Sequence, residues 1–158
     1  MSAQHIYDHA PLGSLIKYAD GAPKPPARFT RKLRDWESRN GVGRLVKKEP
    51  PRERPTYSSP AYFTLHEGNF GEGGMIIVTV MRTYSVDSAL IFKVAERPAI
   101  GMVRVIQAVG DNSELINLAE SQQAAELWLA RHPHFNVRFE EVTADEVSAD
   151  VVEGRAAA

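Results

Sequence analysis

The side chains most suited to metal binding or acid–base chemistry are histidines that lie close in the sequence to a second histidine or to a glutamate. The pairs are His5 with His9, His132 with His134, and His66 with its neighbour Glu67. Two imidazoles supply two metal ligands, and an adjacent histidine and glutamate supply a general base and acid. However, the chain has no cysteine and no H-E-x-x-H motif, and adjacent residues of a strand point to opposite faces. We therefore predict no metal, no cofactor and no catalytic residue.

A glycine-rich stretch, GNFGEGG at 68–74, invites comparison with phosphate-binding loops. Such loops place an anion at the N-terminus of a following helix, whereas this stretch precedes a predicted strand and contains Glu72. No G-x-S-x-G, Walker or G-x-G-x-x-G motif follows a predicted strand. A small enzyme with a site near this loop is therefore the third of three functional hypotheses.

The charged residues are distributed unevenly between the two parts of the chain. Residues 1–60 contain 12 Lys and Arg against 6 Asp and Glu, whereas 61–158 contain 7 against 14. Arginine, which outnumbers lysine 13 to 6, binds phosphate through two hydrogen bonds and stacks on bases. The asymmetry favours a nucleic-acid or acidic partner. Equally, a basic layer could neutralise an acidic layer of the same domain.

Eight cations of the basic segment are the predicted contact residues for nucleic acid or another partner. They are Arg28, Arg31, Lys32, Arg34, Arg39, Arg44, Lys47 and Lys48. We predict a non-enzymatic binding module that contacts nucleic acid through them, without a membrane. The alternative is a protein-binding accessory or inhibitor module, because proline-rich strips such as APKPPARF serve as recognition segments.

The first five of these cations lie on a helix that the pattern predicts from Ala27 to Arg39. Phe29, Leu33 and Trp36 form one apolar stripe of this helix, by which we expect it to dock. Asp35 falls among the cations and can pair with Arg31 and Arg39 at helical spacing. Such pairing would weaken the case for phosphate binding.

The scaffold is predicted to be α+β, with a mostly antiparallel sheet and two to three helices packed on it. Strands at Met75 to Tyr84, Ala89 to Glu96 and Gly101 to Val109 are rich in Val, Ile and Phe, and form a predicted central meander over 75–109. Both faces of the first strand are apolar, which favours a central strand covered on both sides.

The remaining elements are predicted from alternation and capping. They are an edge strand at 14–19, short strands at 43–48 and 114–119, strands at 61–67 and 135–142, a helix from Gln122 to His132 capped by Ser121, and a short helix that a capping box at Thr143 opens. The N-terminus is expected to be loosely ordered, and the proline-rich stretch 23–60 is the part least expected in the central sheet.

These elements predict one domain over residues 1–158. Its parts are a basic, proline-rich N-terminal segment (1–60), an acidic α+β core (61–154) and a disordered tail (155–158). No secretory leader or membrane-spanning run is recognisable, so a cytoplasmic location is expected.

Overall fold

A computed structural model describes residues 1–147 of the chain. Its elements are α1 (Ala3–His9), β1 (Leu15–Ala19), α2 (Thr30–Arg39), β2 (Gly41–Glu49), β3 (Arg52–Arg54), β4 (Tyr57–Ser59), β5 (Tyr62–Glu72), β6 (Met75–Ser85), β7 (Ile91–Glu96), β8 (Val103–Val109), β9 (Asn112–Ala119), α3 (Gln122–Arg131) and β10 (Val137–Glu141). A helical turn begins at residue 144. The continuation of the predicted C-terminal helix and the predicted tail lie outside the described residues.

The predicted α+β class with a mostly antiparallel sheet is confirmed. In the described part of the chain, eight strands form one antiparallel sheet, and β3 and β4 form a separate hairpin. Within residues 1–147, no helix combines the length and the apolar character that crossing a membrane requires.

Strand β2 is the centre of the sheet. Arg44 pairs with Leu15 of β1 and with His66 of β5, so these two strands lie on opposite edges of β2. Further along, Lys47 pairs with Glu114 of β9. Strand β2 therefore joins three groups of strands: β1 with β7, β5 with β6, and β9 with β8 and β10.

Two expectations for the N-terminal part are thereby wrong. Strand β1 pairs with both β2 and β7 and is not an edge strand, and the stretch 23–60 supplies the central strand of the sheet. The physical reason is that residues 41–49 contain no proline, so their backbone can bond on both edges. Periodicity identified a strand here but could not identify its neighbours.

The strands predicted between residues 75 and 109 are present as β6, β7 and β8. Chain neighbours β5 and β6 are adjacent in space, as are β8 and β9. Strands β6, β7 and β8 are nevertheless not adjacent to one another, because β6 pairs with β5, β7 with β1, and β8 with β9 and β10. The predicted contiguous meander is corrected to three strands in separate parts of one sheet.

The expectation that β6 is central and covered on both sides is also wrong. Among residues 1–147 it pairs with β5 alone, and residues 75–79 are exposed. Apolar residues on both faces of a strand indicate contact on both faces, but they do not show whether the same chain provides it. This strand and the end of β5 project as a hairpin beyond the core.

Glycines make that hairpin possible. Residues 68–72 belong to β5 instead of the expected loop, and the turn uses Gly73 and Gly74 with φ of 63° and 81°. Such angles are accessible to glycine at little cost. A Cβ on Gly71 would lie 1.7 Å from the Met75 carbonyl oxygen, so close strand approach also requires glycine there.

The larger core lies under β1, β2, β5 and β7 and is closed by α1. Ile6 of α1 is fully buried together with Ile16, Leu45 and Phe63. The N-terminus is thus an ordered helix, capped by the Ser2 hydroxyl that accepts from the His5 amide at 3.2 Å. The expectation of loose order was wrong because the helix is short and its burial depends on distant strands.

Helix α3 covers the other part of the sheet, as predicted, with Ser121 as its N-cap. Ala125 packs with Val103 and Val105 of β8. Arg104 is 2% exposed in this region; it donates to the Leu12 carbonyl at 2.8 Å and pairs with Glu146. This buried cation is satisfied within the fold.

Candidate nucleic-acid interface

Helix α2 projects from the sheet and has no buried residue. Of its predicted docking stripe, Leu33 and Trp36 are half-buried, whereas Phe29 precedes the helix and is 42% exposed. The helix is held mainly at its C-terminal end, where the Asn40 amide donates to the Trp36 carbonyl at 2.8 Å and to the Asp20 carboxylate at 3.0 Å. The predicted docking by three residues is therefore realised only in part.

The cations of this helix segment face solvent. Arg28, Arg31, Lys32, Arg34 and Arg39 are all exposed. Within the described range 1–147 none of them forms an ion pair, and the pairing of Asp35 that its spacing allows does not occur. Arg28 and Lys32 lie over the Phe29 ring, 4.8 and 5.4 Å from its centroid. The helix thus keeps its positive charge available to a partner.

The three predicted cations on β2 are placed differently. Arg44 donates to the Gly13 carbonyl at 2.6 Å, Lys47 pairs with Glu49, and Lys48 lies over the Tyr7 ring at 5.8 Å. All three are half-buried. The structure therefore divides the eight predicted residues into an exposed group on α2 and a group engaged in contacts within the chain.

Beside α2, two lysines that the sequence reasoning did not single out lie side by side. Lys17 of β1 pairs in register with Lys93 of β7, and both are exposed. In the part of the chain that is described, neither forms an ion pair. Like charges directly opposite on neighbouring strands repel each other. A bound anion would relieve this repulsion.

These lysines line a groove of about 520 Å³ between the sheet and the end of α2. We call it the basic groove and define it by Lys17, Lys93, Trp36, Asn40, Val42 and Ile91. Val42 and Ile91 are exposed there. The groove therefore combines apolar and aromatic walls with two cations, next to the exposed cations of α2.

Period-two alternation marks Lys17 and Lys93 as outward-facing residues of their strands. Their juxtaposition depends on the register between β1 and β7, which are separated by more than 70 residues. No local signal reports that register, so the groove is a product of tertiary structure.

Ion pairs bear on whether the basic segment neutralises the acidic core. Lys47 and Arg52 pair with Glu49 inside the N-terminal segment. Within the acidic core, Arg82 pairs with Glu67, Arg104 with Glu140 and Glu146, and Arg138 with Glu140. None of these pairs joins the two parts. The exposed cations of α2 are therefore not neutralised by them.

A second depression, of about 600 Å³, brings together histidines that are distant in the sequence. His66, His132 and His134 line it with Asn69 and Trp128. The Trp128 ring stacks with the rings of His132 and His134 at 4.8 and 5.5 Å. Across residues 1–147, no three His, Asp or Glu side chains are placed to hold one metal ion.

His66 and Glu67 face opposite sides of β5, as predicted. The imidazole of His66 bonds the Asn69 side chain at 2.8 Å, whereas the Glu67 carboxylate accepts from Tyr18 and from Arg82, the latter at 2.9 Å. Burial, and then the hydrogen bond to Glu67, raises the pKa of Tyr18. Glu67 is thus part of a structural network and is separated from His66.

Arg82 connects this network to α2. Its guanidinium donates to the Glu67 carboxylate and, at 2.6 Å, to the carbonyl of Ser38 near the end of the helix. The base of the β5–β6 hairpin and the C-terminal end of α2 are therefore joined by one side chain.

Comparison with known proteins shows the family to which the chain belongs. A family model described as "Uncharacterised conserved protein UCP036055" matches residues 1–146. No curated protein and no solved structure matches the chain.

Proposed function

We propose that this chain, which belongs to the family of uncharacterised conserved proteins UCP036055, binds single-stranded nucleic acid through the basic groove and α2. The observation that carries the proposal is the pair Lys17 and Lys93, directly opposite each other beside a helix whose cations form no ion pair with the described residues. Phosphate groups supply the negative charge that this surface lacks.

Electrostatics supports a polyanion as the ligand. The groove lysines and the α2 cations border one another, since Trp36 and Asn40 at the end of α2 form a wall of the groove. A backbone that follows the helix and crosses the groove would meet cations at several successive phosphates. Each such contact releases counterions and contributes to affinity.

The apolar walls support a single strand in preference to a duplex. Val42, Ile91 and the ring of Trp36 offer a surface for the face of a base. Bases of a duplex are stacked on one another, whereas those of a single strand are free to stack on a protein surface. The proposal therefore predicts tighter binding to single strands than to duplexes of the same length.

The salt dependence of binding tests this proposal. We expect Lys17→Gln with Lys93→Gln to lower the slope of log affinity against log salt by about 1.4, because each phosphate contact to a single strand contributes about 0.7. The measurement is fluorescence anisotropy of a labelled oligonucleotide at several salt concentrations. The matched control is Arg131→Gln with Arg138→Gln, which removes two exposed cations from the acidic part.

Equal slopes for the two double variants would contradict the role of the groove. Binding to duplex as tight as to single strands would contradict a stacking role for its apolar walls. A chain that binds no oligonucleotide at low salt would favour the alternative, a protein partner for the same surface.

A further inference from the structure

The distal part of the β5–β6 hairpin is an apolar surface without cover from the described chain. We call residues 68–81 the arm. Its exposed large apolar residues are Phe70, Met75, Ile76, Ile77, Val78 and Met81, each between 47% and 71% exposed. Exposed apolar residues that occur singly are common, but six on one hairpin indicate a contact surface.

The outer edge of the arm is also open. Strand β6 pairs with β5 and with no other strand among residues 1–147, so its other edge presents unpaired backbone groups. Charge, proline or a short strand usually protects such an edge. Here the seven residues 75–81 contain no charge and no proline, and β6 is 11 residues long.

From these features we infer that the chain forms a dimer in which β6 pairs antiparallel with β6 of a second copy. A two-fold axis near Val78, the middle of the uncharged run, would extend the sheet across the two copies. Val78 would then face Val78 of the second copy, Ile76 would face Val80 and Met75 would face Met81. Each of these contacts occurs twice about the axis, which is the self-complementary arrangement that a two-fold interface requires. The inference does not depend on the nucleic-acid proposal.

The size of the surface agrees with a dimer. If a fully exposed large apolar residue presents about 200 Å², the six residues at their observed exposures present roughly 700 Å² in total, shared between the two faces of the hairpin. A standard interface buries roughly 800 Å² on each partner. The backbone hydrogen bonds of a shared sheet would add to this apolar contact.

The charge of the arm is also compatible with its pairing to the arm of a second copy. Glu72 is the only charged residue between 68 and 81. Antiparallel pairing about Val78 directs the two hairpin turns in opposite directions, so the two Glu72 side chains lie at opposite ends of the interface. Repulsion between identical charges is therefore avoided.

Sedimentation equilibrium of the full chain over a range of concentrations tests the inference. We expect a dimer, and we expect Ile76→Lys with Val78→Lys to raise its Kd by at least about 100-fold, because like charges facing each other across an interface cost several kcal/mol. The matched control is Ile100→Lys, which places one lysine at an apolar residue that is 60% exposed outside the arm. This control should dimerise like the unmodified chain.

Cross-linking locates the axis independently of the charged variants. The natural chain has no cysteine, so Val78→Cys introduces a single thiol close to its symmetry mate, and we expect a disulfide-linked dimer under oxidation. Ile100→Cys should give little cross-linking. Circular dichroism of each variant establishes that it is folded.

Two results would overturn the inference. One is an unmodified chain that remains monomeric at the highest concentration measured. The other is a dimer that neither the double lysine variant weakens nor Val78→Cys cross-links, since its interface would then lie elsewhere. Lys17→Gln with Lys93→Gln should dimerise normally, so failure of the nucleic-acid proposal would leave this result unaffected.

Discussion

Helix α2 and the arm both project from the same sheet, but they expose opposite kinds of surface. The helix and Arg28, just before it, present five cations without an ion pair in the described chain, whereas the arm presents six large apolar residues and one charge. Water solvates an exposed charge well, but it does not favour an extended apolar surface. The two projections should therefore respond differently to salt, and each calls for a different kind of partner.

The two surfaces are carried by the same hydrophobic core, so a substitution that destabilises this core should impair nucleic-acid binding and dimerisation together. Phe63 of β5 is fully buried, with ring centroids 5.4 Å from Phe92 and 6.0 Å from Tyr84. We expect Phe63→Ala to lower the free energy of unfolding by about 3–5 kcal/mol, measured by urea denaturation. Both proposed activities should fall together near the shifted midpoint. A loss below about 1 kcal/mol would show that the root of the arm is not packed as described.

Salt should separate the surfaces most clearly. Raising salt from about 50 to 200 mM should weaken oligonucleotide binding by roughly 20-fold if three phosphates of a single strand are contacted. Dimerisation through the arm should change less than about twofold over the same range, because apolar contact and backbone hydrogen bonds carry no net charge. Anisotropy and sedimentation on the same samples make the comparison. Parallel responses to salt would contradict the assignment of charge to one surface and apolar contact to the other.

Arg82 links helix α2 to the base of the β5–β6 hairpin, so the two surfaces are not fully independent. Arg82→Ala removes the hydrogen bonds to Glu67 and to the Ser38 carbonyl, and leaves Glu67 with Tyr18. We expect amide hydrogen exchange in α2 to become roughly tenfold faster, equivalent to about 1.4 kcal/mol of local stability. Arg138→Ala, on strand β10 at the end of the strand order, is the control. Unchanged exchange in α2 would show that Asn40 and Trp36 alone hold the helix.

Acid should loosen the root of the arm. Glu49 of β2 accepts hydrogen bonds from Lys47 and from Tyr62 of β5, and these contacts, with Lys47 first, hold its pKa below the ordinary value of 4.5. A lowered folded pKa contributes stability above about pH 4.5 that is lost as the pH falls through the folded value.

Glu49→Gln should therefore be less stable than the unmodified chain at pH 7, by about 1 kcal/mol. The difference should shrink progressively below about pH 4.5. Urea denaturation at a series of pH values measures it. A constant difference across that range would contradict a charge-based role for Glu49.

Much of the fold could be predicted because its signals are local. The α+β class, the strand identities of β5 to β9 and the Ser121 cap follow from alternation and capping, which depend on residues close in sequence. The opposite placement of His66 and Glu67 follows from the period of a strand. The exposed cations of α2 follow from an amphipathic helical pattern.

The errors concern features that depend on distant partners. The stretch 23–60 is the part least expected in the central sheet, although its strand β2 pairs with β1, β5 and β9. Strand β6 was expected to be covered, although its distal residues are exposed. Helix α1 was missed because it is buried only by contact with strands that follow much later in the chain.

The sequence by itself determined most of the longer helices and strands, where the positive charge is concentrated and which residues alternate along each strand, because these properties depend on neighbours within a few residues. Tertiary structure alone decided that Lys17 meets Lys93, that three distant histidines line one depression, and that no described strand covers β6. Strand order and register are set by long-range pairing, and a periodic pattern carries no information about the partner that satisfies it.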